Sequence, residues 1–105
     1  MSIPKHFLKF KEQYPEIADA YENLGDAVHK SGPLDNKTRA LIKLAVSAGA
    51  GMEGAVHAQV RKSLELGITP DEIRQTILLS FPTIGFPAMM AALSWVNDIL
   101  DKNSK

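Results

Sequence analysis

Apolar residues in this chain recur at spacings of three and four, and proline or glycine closes almost every run. Such a pattern can bury a core only by packing short helices against one another. The first segment, Pro4 to Gln13, carries Phe7 and Phe10 on one face and stops before Pro15. Pro15 and Glu16 restart it, with proline at the first helical position and an acid in the first turn. The second helix is predicted to run to about Lys30, with Ile17, Tyr21, Leu24 and Val28 on one side, until Ser31-Gly32-Pro33 ends it. Asp35 is the expected N-cap of a third helix whose apolar face is Leu41, Leu44, Ala45 and Ala48. Glycines 49, 51 and 54 weaken helicity before a fourth helix. That helix carries Glu53, His57, Val60 and Leu64 along one stripe, with Gly67 after its last turn. Thr69-Pro70-Asp71-Glu72 has the form of a capping box. The fifth helix then presents Ile73, Ile77 and Leu78 inward and is bounded by Pro82 and Gly85-Phe86-Pro87. A sixth runs from about Ala88 to Lys102 with Met89, Leu93, Val96, Ile99 and Leu100 as its apolar set, before a polar tail, Asn103 to Lys105. Strand signals are scarce. The expected architecture is an all-α bundle of about six helices in one domain, residues 1–105, with helices three to six as antiparallel neighbours.

Charge and composition narrow the partners. Twelve basic residues balance twelve acidic ones, so neither a nucleic-acid groove nor binding to an anionic membrane surface is expected. Near-zero charge mildly favours association, and a 105-residue helical chain gains core by pairing with copies of itself. The absence of cysteine excludes disulfides, thiolate metal sites and thiol nucleophiles. Met1 to Glu12 is charged and lacks a long apolar core, so no signal peptide is expected. Thr76 to Val96 is uncharged and reaches the roughly 20 residues of a membrane helix, but Pro82, Gly85 and Pro87 divide it into two soluble helices. The expected location is the cytoplasm.

Gly49-Ala50-Gly51-Met52-Glu53-Gly54 matches the dinucleotide fingerprint G-x-G-x-x-G, with Asp71 and Glu72 about 20 residues on, where a ribose-binding acid is sought. That motif works inside a strand–turn–helix unit. Here the preceding run, Ala40 to Val46, has helical spacing, so the glycines read as a bend between helices.

The chemistry is concentrated in Glu53 and His57. Four apart on a helix, they share one face with Val60 and Leu64 and are expected to point toward an apolar seam. Burial disfavours the charged form of each, while their mutual attraction favours it, a balance that suits proton transfer near neutral pH. The simpler reading is a hydrogen-bonded pair that satisfies two half-buried groups. As metal ligands two residues are too few, since a catalytic zinc takes three from the protein. His6 and His29 have no ligand-like spacing around them, so neither a metal nor a cofactor is expected. Met52, Met89, Met90 and Trp95 are ordinary core filler or pocket lining. Arg61, four residues after His57, is placed to meet a carboxylate or to stand in solvent. Ser47, Ser80 and Ser94 lack a nucleophile-elbow context.

Two stretches carry a resemblance. One is Leu34-Asp35-Asn36-Lys37-Thr38-Arg39-Ala40-Leu41-Ile42-Lys43-Leu44-Ala45-Val46; the other begins Glu53-Gly54-Ala55-Val56-His57 and continues through Leu66-Gly67-Ile68-Thr69-Pro70-Asp71-Glu72-Ile73. With the later Gly85-Phe86-Pro87 turn, the sequence from Leu34 to Leu100 resembles the carboxymuconolactone decarboxylase family, which includes the alkyl hydroperoxidase D proteins. The resemblance implies an all-helical fold and homo-oligomers built from dimers, hexamers among them. It also implies a peroxidase branch with a Cys-x-x-Cys-x-x-x-His motif. Those cysteine positions fall on Ala50 and Glu53, and the branch's relay glutamate falls near Ala40, so thiol peroxidase chemistry is excluded for this chain. The decarboxylase branch is similar in having Glu-x-x-x-His where Glu53 and His57 stand, and implies cofactor-free decarboxylation of a small carboxylated lactone.

Two functions are therefore expected to compete. One is a lyase using Glu53 and His57 as acid and base, at a subunit interface. The other is a non-enzymatic oligomeric or ligand-binding protein that keeps the fold without the chemistry. An open cavity at His57 favours the first, a sealed His57 the second.

Overall fold

The helix starts most strongly marked in the sequence are built as caps in the computed structural model, which describes residues 5–103. Pro4 and the last two residues of the polar tail, both parts of expected elements, lie outside that range. Seven helical segments occur among the described residues: α1 (Lys5–Gln13), α2 (Pro15–His29), α3 (Asn36–Gly49), α4 (Glu53–Glu65), α5 (Pro70–Leu78), α6 (Phe81–Ile84) and α7 (Phe86–Asn103). The Asp35 carboxylate accepts from the Thr38 backbone N–H at 2.8 Å and starts α3. Thr69 starts α5 with both halves of a capping box: its hydroxyl accepts from the Glu72 backbone N–H at 3.1 Å, and the Glu72 carboxylate accepts from the Thr69 backbone N–H at 3.0 Å. Lys37 forms an ion pair with the same carboxylate.

The expected fifth boundary is where the structure adds an element. α5 ends at Leu78, and Ser80 to Gly85 winds into the single turn α6, with Pro82 in its first turn where a missing N–H costs nothing. Gly85, at φ +90°, then redirects the chain into α7, which begins at Phe86, two residues earlier than expected.

The described residues fall into two compact units, one ending at Leu34 and one starting at Asp35. In the first, α1 and α2 form a helical pair tied by a Lys11–Glu22 ion pair at 2.8 Å. Ala18 is its buried side chain, whereas Ile17, Tyr21, Leu24 and Val28 are 57–65% exposed. The apolar spacing that forms α2 thus leaves a stripe that the α1–α2 pair does not bury by itself.

In the second unit, α3, α4, α5 and α7 surround one core. Leu44, Val56, Val60, Ile73, Ile77 and Val96 are fully buried, each contributing about 1.5–3 kcal/mol of apolar transfer energy. On α3 the buried face is Ala40, Leu44, Ser47 and Ala48, with Leu41 packed at its edge. On α5, Ile73 and Ile77 point inward as expected, but Leu78 is exposed. α7 contributes Met89, Ala92, Val96, Ile99 and Leu100, with Leu93 and Trp95 packed against the core.

The glycine motif spans the end of α3, a bend and the start of α4. Gly51, at φ +69°, makes the turn between them. No strand occurs among the described residues, so the parallel sheet required by a dinucleotide site is missing there.

Candidate functional site at the α4–α7 seam

Glu53 is the first residue of α4 and His57 lies one turn later. The core face of α4 is Val56, Val60 and Ser63, which rotates the helix by about one residue from the expected stripe. His57 therefore sits at the margin of the seam, with 21% of its side chain exposed, and Glu53 is exposed. The inward-facing Glu53 is corrected on this point: the valines take the seam because they bury more apolar surface than a carboxylate can.

Across the seam α7 supplies Asp98, which the sequence did not single out. Its neighbours Val96, Ile99 and Leu100 are core residues, so the helix rotation that buries them brings Asp98 to the rim facing α4. His57 Nε2 and Asp98 Oδ2 are 3.1 Å apart. An ionised carboxylate can only accept, so Nε2–H donates in this hydrogen bond. Glu53, His57 and Asp98 each offer one donor atom, and these atoms lie within 4.8 Å of one another. Asp98 also lines an open groove with Ser94, Asn97, Asp101 and Lys102. Asn97 of this groove accepts from Arg74 Nε–H of α5 at 3.1 Å.

The structure thus gathers an imidazole and two carboxylates on two packed helices, with the groove on the Asp98 side. That set can hold and move a proton, or hold a cation. Of the other residues raised by the sequence, Ser94 lines the same groove. Ala50 caps α3, and Ala40 is a core residue with no polar group to enter a relay. Met89 is buried, while Met52 and Met90 are exposed. Arg61 is partly exposed on α4, a further turn beyond His57. The hydroxyls of Ser47, Ser80 and Ser94 each donate to a carbonyl of the preceding turn, at 2.9, 2.6 and 2.6 Å. His6 and His29 belong to α1 and α2. Among the described residues no helix is long and apolar enough to cross a membrane.

Residues 15–98 match the model of the carboxymuconolactone decarboxylase family, a span that contains Glu53, His57 and Asp98. Two uncharacterized proteins of Methanocaldococcus jannaschii are 36% and 33% identical to the chain over 84 and 89 residues. The matches cover 79% and 85% of this chain, and 81% and 83% of those proteins. An uncharacterized protein of Haemophilus influenzae is 36% identical over 61 residues, 58% of this chain and 54% of that protein. A match this long, on a chain whose described residues build helices alone, means that the protein belongs to the carboxymuconolactone decarboxylase family.

Proposed function

We propose that this protein is a cofactor-independent lyase that decarboxylates a small carboxylated lactone or related acid, with Glu53 and His57 as its acid–base pair. The observation that carries the reading is the His57–Asp98 contact at 3.1 Å beside an open groove, with Glu53 one turn away. In the net reaction the carbon–carboxylate bond breaks, carbon dioxide leaves, and the electron pair left on carbon takes up one proton. No oxidant or reductant is consumed. The protein's task is to deliver that proton, and a histidine held in one tautomer by a carboxylate is suited to it. Arg61 is the candidate to orient the substrate carboxylate before it departs.

The same proposal has the chain act as a homo-oligomer built from dimers, a hexamer being the expected size, in the cytoplasm. The apolar stripe of α2 supports it, because the α1–α2 pair buries Ala18 alone among its described residues and gains apolar burial from a further surface, which a partner copy can supply.

The test is turnover of a carboxylated lactone by the wild type and by His57→Ala, followed as carbon dioxide release. Loss of roughly 10²–10⁴-fold in kcat is expected on removing a general acid–base group. Equal rates would remove His57 from the mechanism. A second reading, a ligand-binding protein without turnover, is favoured by one observation, the exposure of Glu53. It predicts that neither protein releases carbon dioxide.

A further inference from the structure

The α4–α7 seam also has the makings of a cation site. Helix α4 alone offers two ligands, which is why the sequence argued against a metal; the fold adds Asp98 as a third, the number a catalytic zinc takes from protein. We propose that Glu53, His57 and Asp98 bind one first-row divalent cation, with Zn²⁺ and Co²⁺ as fitting occupants.

Spacing comes first. Ligand atoms held at about 2.0–2.2 Å from one ion stand about 3–3.5 Å from each other. His57 Nε2 and Asp98 Oδ2 are already 3.1 Å apart, and Glu53 completes a set within 4.8 Å. Glu53, whose side chain is exposed, is the ligand left to close the remaining gap. A cation would take the place of the proton on Nε2, so the ion-bound state and the acid–base state of these residues exclude one another. Donor chemistry then narrows the ion. One nitrogen and two oxygens suit borderline first-row ions better than calcium or magnesium, which prefer oxygen throughout, and the absence of sulfur disfavours soft ions. Charge agrees as well: two carboxylates balance a dication, and neither forms an ion pair with lysine or arginine among the described residues. Finally, His57 and Asp98 are mounted on helices locked by Val56, Val60, Val96 and Ile99, so little ordering is needed on binding.

The full chain, stripped with a chelator, is titrated with Zn²⁺ by calorimetry and with Co²⁺ by visible absorption, without substrate. One ion per chain is expected. Loss of an outer-shell partner of a metal typically costs about 10–100-fold in affinity, so His57→Ala and Asp98→Asn should each weaken binding by at least that much. Asp101→Asn, in the same groove but outside the triad, should bind as the wild type does. Circular dichroism verifies that the variants are folded, as expected for substitutions at the rim of the seam. Absence of binding at millimolar metal, or unchanged binding in either His57→Ala or Asp98→Asn, would overturn the proposal. The outcome is separable from the proton-transfer reading. Turnover in chelator by a protein that binds no ion leaves that reading standing and removes this one; ion binding by a protein that shows no turnover in chelator does the reverse.

Discussion

His57 has one carboxylate a turn away on its own helix and another facing it across a helix interface, and the second makes the closer defined contact. The first relation was legible in the sequence, because i and i+4 share a helix face whatever the fold. The second was not. Asp98 lies 41 residues from His57, and nothing local to either residue specifies the crossing of α4 and α7. The sequence also placed Glu53 inward, which the competing valines of the same helix prevent. Asp98→Asn should retain the fold and lower turnover by about tenfold or more, through loss of the imidazole's orientation rather than of a reacting group. The expected signature is a fall in kcat with KM little changed and with the Asp98→Glu variant partly rescuing. A loss confined to KM would instead make Asp98 a substrate-binding group.

At the scale of elements, capping was the most readable signal, since it is written within four residues. Asp35 and Thr69 cap α3 and α5 as their spacing predicts. Thr69→Ala should cost about 1 kcal/mol in urea unfolding; no change in midpoint would mean that the cap is redundant. Glu72 adds a pH dependence. Lys37, then the Thr69 backbone N–H, hold its carboxyl down to about 2, below its ordinary value of 4.5. Between those values the unfolded chain binds the proton that the folded chain refuses. The stabilisation is therefore complete above about pH 4.5 and is lost as pH falls toward 2. Glu72→Gln should flatten the acid limb of a stability–pH curve in that window, and an unaltered limb would contradict the assignment. Helix faces were less readable than helix starts. Ala40 and Ser47, small residues with weak hydropathy, face the core on α3, while Leu78 on α5 does not. α6 was missed because one turn gives no periodicity to read. Ile77→Ala, at a fully buried site, should cost about 2–5 kcal/mol, measured by the same unfolding assay.

At the scale of the molecule, the all-helical class was legible throughout, since spacing and punctuation agreed along the chain. The division at Leu34–Asp35 follows the Ser31-Gly32-Pro33 stop. What local patterns leave open is which surface covers α2, since the same stripe of Ile17, Tyr21, Leu24 and Val28 serves equally well inside a monomer or between copies. The proposed homo-oligomer assigns it to a partner copy. Tyr21→Glu with Leu24→Glu should then reduce the assembly to smaller species in sedimentation velocity, whereas an unchanged sedimentation coefficient would free α2 from that role.

In the proposed reaction a proton passes through the His57 site to the carbon that loses its carboxyl group. The direct measurement is nuclear magnetic resonance of the product formed in deuterium oxide. The wild type should place one deuterium at that carbon in enzyme-catalysed product, and His57→Gln should form almost none of that product. Undiminished formation of the deuterated product by His57→Gln would contradict the account.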